Sequence, residues 1–358
     1  MPPDAHFCAA EVVLPCADLA VTLAFFCDRL GFRVDAIHPA DDPRTAVVSG
    51  HGLRLRLQRG GTGAPGVLRL TCRLPMALGA GAHELTAPNG TRIELVDAAP
   101  PLLVPDSPPT FVVNRAGDAS AWVEGRAGMR YRDLIPGRQG GRFIASHIHI
   151  EEGGPVPDYV HFHRVRMQLI YCHRGWVRVV YEDQGPPFVM QAGDCVLQPP
   201  QIRHRVLECS PGLEVIEVSC PAEHETFADH ALTLPTGTLQ PTRVFGGQRF
   251  LHHLAADATW HPAHEGFEVR DLGIAEATAR LAGARVLRST GSTPPARTHD
   301  GELLFYCVLQ GALTLSVDGH DPHELAIGDA CTLPADVGFR LAARGDDLEL
   351  LEVSLPSA

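Results

Sequence analysis

Hydrophobic positions change period once near the start of the chain and then settle into short alternations. Residues 11–15, EVVLP, read as a strand. Leu19, Leu23, Phe26 and Leu30 then recur at helical spacing behind Asp18, whose carboxylate suits an N-cap, with Gly31 as the terminator. The runs FRVDAI, TAVVS and LRLRLQ follow with strand character, the last alternating Leu with Arg as a half-buried strand does. This order predicts a βαβββ unit, and VLRLTCRL and TAPNGTRIELVD are the recognisable parts of a second, shortened one. Beyond residue 111 the helical period all but vanishes. Short apolar runs broken by Gly and Pro turns, among them YVHFH, QLIYC, WVRVVYE and CVLQP, predict all-β architecture.

Two proline-rich stretches, residues 100–110 and 232–242, read as extended linkers, because proline fixes its own backbone and disfavours helix before it. The expected fold class is mainly β: an N-terminal α+β domain at 5–98, a linker at 99–110, a β-barrel at 111–231, a linker at 232–241 and a second β-barrel at 242–358. A length of 358 residues is enough for each segment to have its own core.

Composition narrows the function classes. A net charge of -12 opposes an electrostatic grip on nucleic acid or anionic lipid, so neither is expected as a partner. Every basic residue is Arg, which excludes Schiff-base chemistry on a lysine. No apolar run reaches membrane-span length, and MPPDAHFCAAE lacks the features of a signal peptide, so a cytoplasmic location is expected. The ten Cys are scattered without a CxxC, as buried free thiols would be.

The chemistry concentrates in residues 161–204. In an extended strand i and i+2 face one side, so His161 and His163 point together, and a third imidazole from His204 would complete a site for a divalent transition metal. An HxH pair arises about once by chance in a chain this rich in His, and His147/His149 is another, so the weight rests on the rest of the pattern. Gln168, Gly175, Gly193, Pro199 and His204 complete a segment that resembles the two cupin motifs, with Gln168 in place of a Glu and Gln201 in place of a Gly. The resemblance implies two tandem double-stranded β-helix barrels, a bicupin, with His161, His163, Gln168 and His204 as metal ligands. In the third segment, aligning Gly311 with Gly175 and Pro334 with Pro199 puts Arg297, His299, Leu304 and Phe339 at the ligand positions. One imidazole cannot hold a catalytic ion, so this barrel is expected to be metal-free, either structural or a binding cavity lined by Arg297.

The run DLAVTLAFFCDRLGF and its βαβββ order resemble the vicinal oxygen chelate (glyoxalase and bleomycin-resistance) superfamily. Its metal positions would fall on Glu11, Gln58, Val67 or Leu68, and Glu94, and the third offers no ligand. A rigid docking or dimerisation domain is therefore expected, with a homodimer left open.

A ligand set of three His and one Gln carries no charge. The full dipositive charge then stays on the metal, which favours a small anionic chelating substrate such as a 2-hydroxy acid, a 2-oxo acid or a phenolate with an adjacent carbonyl. Resemblance to gentisate-type three-His bicupins implies an Fe(II) oxygenase acting on a small aromatic or enolisable acid. Redox-neutral isomerisation, cyclisation or hydrolysis with Zn, Ni or Mn is the alternative, and a non-catalytic small-molecule binding protein is another. Tyr159, of the same strand parity as His161, and Arg166, in the turn after the HxH pair, are the candidate catalytic side chains.

Overall fold

In the computed structural model, which describes residues 8–117, 122–262, 266–292 and 294–356, the N-terminal strand Val12–Cys16 runs parallel to Leu53–Arg59. Thr45–Gly50 and then Arg33–His38 extend that sheet in antiparallel steps. The helix Leu19–Ala24 is capped by Asp18, whose carboxylate accepts from the Val21 amide at 3.1 Å. It continues as a π-helical turn, Phe25–Arg29, and ends at Gly31, whose φ of 74° only glycine adopts without strain. Leu19 and Phe26 of the predicted apolar stripe are buried, Phe26 edge-on to Phe32 at 5.6 Å. A second sheet of three strands, Val67–Cys72 beside Arg92–Asp97 beside Glu84–Thr86, completes the unit formed by residues 1–101.

Residues 102–358 form the second unit, which holds two barrels. In the first, the order is Leu251–His253, Cys195–Leu197, Met167–Arg174, Leu213–Cys220, Ile144–Ile150, Arg130–Asp133, Val123–Glu124. Facing it is a sheet in which His204–Cys209 lies between Trp176–Tyr181 and His161–His163. The second barrel repeats the plan: Leu303–Gln310 pairs with Glu349–Leu355 and Ala330–Thr332, opposite a sheet of His323–Ala326, Ala312–Val317 and Phe339–Ala343.

The central strands are buried on both faces. Met167, Leu169 and Tyr171 join Leu303, Phe305, Cys307, Leu351 and Val353 in one core between the barrels. The alternate residues Ile170 and Cys172, and Leu304, Tyr306 and Val308, face the interiors of their own barrels. This two-sided burial is why QLIYC and LLFYCVL are continuous apolar runs and not alternations.

The expected barrel boundaries at 111 and 242 are corrected by the pairing. Val112–Asn114 adds to the edge of the second barrel, against Ala330–Thr332, and Leu251–His253 adds to the first, against Cys195–Leu197. Each barrel thus borrows a strand from the segment assigned to the other. A three-residue strand carries too little pattern to say which sheet it joins.

Candidate metal centre

Two strands bring the imidazoles together. His161 and His163 lie on one short strand, and the antiparallel pairing of His161 with His204 sets the third ring across from the first. Ring nitrogens of His161, His163 and His204, one from each, lie within 4.8 Å of one another, and all three residues are buried. The glycine at the turn after Met167–Arg174 keeps this frame tight: Gly175 has φ 74°, and a Cβ there would lie 2.2 Å from the Ser210 hydroxyl.

The tautomers follow from the hydrogen bonds. A guanidinium has no acceptor, so Arg126, which donates from Nη2 to His161 Nε2 at 2.7 Å, requires that nitrogen to be a lone pair. His161 Nδ1 then carries the proton and donates to the Tyr159 carbonyl at 2.8 Å. His204 Nδ1 donates likewise to the Ile202 carbonyl at 3.0 Å, and His163 Nδ1 is hydrogen-bonded to the Thr226 hydroxyl at 3.2 Å. With Nδ1 occupied on each ring, Nε2 is the nitrogen left to ligate, the arrangement that orients metal-binding histidines. Burial, reinforced by the neighbouring rings and Arg126, pushes His163 down to about 3 and His204 well below its usual value; burial and then Arg126 lower His161. Three neutral, oriented imidazoles suit a transition dication. Arg126, held by buried Asp158 at 2.6 Å, occupies the lone pair of His161 that the ion would use, so the contact and the ion are alternatives.

Gln168 does not join the trio. Its oxygen accepts from Gln198 Nε2 at 3.1 Å and its nitrogen donates to Glu217 at 3.2 Å. Gln198 stands between it and His204, 3.3 Å from Nε2, and accepts from the Tyr181 hydroxyl at 2.6 Å. The two catalytic expectations are corrected as well. The Tyr159 side chain is exposed and outside the cavity, and its contribution is the carbonyl that fixes His161. Arg166 is engaged elsewhere, donating at 2.6 and 2.9 Å to buried Glu302 of the second barrel, which also takes Arg142 at 2.5 Å. His147 and His149 face the outer side of their strand, since Ile148 and Ile150 line the cavity; His147 pairs with Glu214 at 2.9 Å.

The cavity measures about 70 Å³ and is walled by Ile148, Ile170, Val177, Val179, Met190 and Val215. Its polar residues, besides the imidazoles, are Arg126, Tyr131, Tyr181, Gln198 and Glu217, and Glu217 is the sole carboxylate among the described residues that line it. Arg126 and Glu217 were missed from the sequence. Arg126 precedes the motif by 35 positions with no spacing signal, whereas Glu217 lies in LEVIEVSC, where strand parity alone puts it on the face of Val215 and Leu213.

In the second barrel the bridge between Arg297 and Phe339 takes the place of the His161–His204 pairing. His299 has both ring nitrogens engaged, Nε2 donating to the Leu333 carbonyl at 3.0 Å and Nδ1 accepting from the Gly301 amide at 3.2 Å. In the N-terminal unit Glu11 is bound by Arg54 and Arg56, Glu94 pairs with Arg92, and no metal-holding cluster occurs among the described residues.

Residues 285–354, within the second barrel, match the family described as cupin domain. No curated protein matches the sequence. Among solved structures, a deletion mutant of Bacillus subtilis oxalate decarboxylase superposes with a TM-score of 0.52 at 15% identity, over 68% of this chain and 76% of that one. The formate complex of Lactobacillus farciminis oxalate decarboxylase gives 0.52 at 15%, over 69% and 86%. A structure from work on the Mn(II) centres of the Bacillus subtilis enzyme gives 0.52 at 16%, over 69% and 77%. The fold is mainly β and bicupin. Among the described residues no helix is long and apolar enough to cross a membrane.

Proposed function

We propose that the first barrel is the catalytic centre of a metal-dependent enzyme acting on a small anionic chelating substrate. The observation that carries this reading is the convergence of three buried, neutral imidazoles on a cavity that also holds a guanidinium and a carboxylate. His161, His163 and His204 would hold the ion, which when bound supplies Lewis acidity and open coordination positions. Arg126, freed from His161, is the cation that pairs the substrate's carboxylate, with Asp158 fixing its other edge. Gln198, oriented by the Tyr181 hydroxyl, presents an amide N–H to the same space. Glu217 accepts from Gln168 and from the Ser219 hydroxyl at 3.3 Å, and is the group placed to take or return a proton. The apolar walls exclude water and strengthen each of these contacts.

Within this class we read the enzyme as an Fe(II) oxygenase, because a neutral donor set leaves the charge of the metal undiminished for binding an anionic chelator. A volume near 70 Å³ favours a compact enolisable acid over an aromatic ring. A second reading, redox-neutral cleavage or isomerisation with Mn, Zn or Ni, is favoured by Glu217, which supplies a proton carrier that O2 chemistry does not require. The vicinal-oxygen-chelate-like character of residues 5–98 belongs to the proposal too, as a docking domain without metal. Turnover of a panel of 2-hydroxy and 2-oxo acids by Fe(II)-loaded protein, with and without O2, tests the assignment. Oxygenase chemistry predicts consumption of substrate and O2 together and none under anaerobic conditions; equal anaerobic turnover would transfer the site to the second reading.

A further inference from the structure

The second barrel keeps the frame of the first and changes its lining. The Asp336 amide donates to the His299 carbonyl as the Gln201 amide does to that of His163, and Arg297 bridges to Phe339 where His161 pairs with His204. A guanidinium and a phenyl ring therefore stand where the first barrel presents imidazoles. The space beside them is about 440 Å³, within the range of small-molecule sites, and its apolar wall is formed by Phe267, Leu304, Phe339 and Leu341.

The charges in this cavity are arranged around Glu352. Its carboxylate is buried and accepts from Arg285 Nε, from Arg297 Nη2 at 2.9 Å and from the Tyr306 hydroxyl at 2.5 Å. Burial opposes its ionisation, but Arg285 and Arg297 outweigh burial and hold it below the usual carboxylate range. Arg297 makes these contacts, and a further one to the Tyr306 hydroxyl, through Nη2 alone. Its Nε and Nη1 have no acceptor among the described residues, while its plane lies over the Phe339 ring at 5.1 Å. The guanidinium is thus held in place by one nitrogen and a ring, with the N–H groups of Nε and Nη1, which lie on different sides of it, left to contact a ligand singly. Asp300 also lines the cavity but is exposed.

We infer that the second barrel is a binding site for a small monocarboxylate bearing an apolar ring or branched tail, with one carboxylate oxygen on an N–H of Arg297 not used by Glu352 or Tyr306 and the tail against Phe267, Leu304 and Leu341. The site is separate from the metal centre and needs no metal.

Benzoate titrated into the full chain by isothermal calorimetry tests it, with benzamide and inorganic phosphate as controls. The expected result is one benzoate per chain in the second barrel, with benzamide and phosphate each weaker by about tenfold or more. Arg297→Gln, which leaves Glu352 to Arg285 and Tyr306, and Leu341→Phe, which fills the apolar wall, are each expected to weaken benzoate about tenfold or more. His163→Ala is expected to leave it unchanged. Absence of saturable benzoate binding, binding that survives both second-barrel substitutions, or binding lost with His163→Ala would overturn the assignment.

Discussion

At the scale of single residues, the first barrel depends on where protons sit. His161 and His204 give their Nδ1 protons to nearby carbonyls, the Thr226 hydroxyl engages Nδ1 of His163, and burial keeps the rings neutral, so the lone pairs meet without charge repulsion. His161, His163 and His204 were legible because strand parity and the motif spacing both place them. Gln168 was misjudged because one position shared with the motif does not reveal that Gln198 stands in the way. Gln201 is a departure whose consequence is visible: it stands where the motif has Gly and adopts φ 65°, a left-handed conformation that costs an L-residue about 1 kcal/mol. Replacing it with Gly, Gln201→Gly, is expected to stabilise the protein by up to about 1 kcal/mol in urea unfolding, with metal content unchanged. A second residue-scale expectation concerns Glu214. The hydrogen bond from His147, assisted by the charges of His147, Arg174 and His173 against the effect of burial, lowers its carboxyl from 4.5 to about 2. A depressed carboxylate contributes stability that is present above the unfolded value and lost as pH falls through the folded one. The stability difference between wild type and Glu214→Gln should therefore close as pH falls from 4.5 to about 2, measured by denaturant titration at each pH.

At the scale of elements, strands buried on both faces explain why the middle and end of the chain were legible as β but not as layers. Met167–Arg174 and Leu303–Gln310 read as apolar runs, and an apolar run does not say that one face serves a barrel's own interior while the other serves a shared core. Arg166 illustrates the same limit. Its place in the turn after the HxH pair makes it a candidate catalytic side chain, but the turn lies beside the start of Leu303–Gln310, and its guanidinium closes on Glu302 together with Arg142. This cluster joins the two barrels. Removing the charge of Glu302 leaves two guanidinium groups facing an uncharged amide, so Glu302→Gln is expected to destabilise the 102–358 unit by roughly 3 kcal/mol. Equilibrium unfolding followed by tryptophan fluorescence measures it, and a loss below about 1 kcal/mol would show the cluster to be a solvated pair.

For the whole molecule, the mainly β fold class could be read from periodicity, whereas the exchange of Val112–Asn114 and Leu251–His253 between barrels could not. That exchange, with the common core, makes the barrels one unit in which the first barrel has three imidazoles and the second has Arg297 and Phe339. The proposed catalysis requires the first of those linings to hold an ion. Metal analysis of the full chain purified without chelator, beside His161→Ala, His163→Ala and His204→Ala, tests this most directly. About one transition-metal ion per wild-type chain is expected, with a loss of about tenfold or more in each variant. A wild-type chain without metal after incubation with Fe(II), Mn(II), Zn(II) and Ni(II) in turn, or variants that keep a full complement, would contradict it.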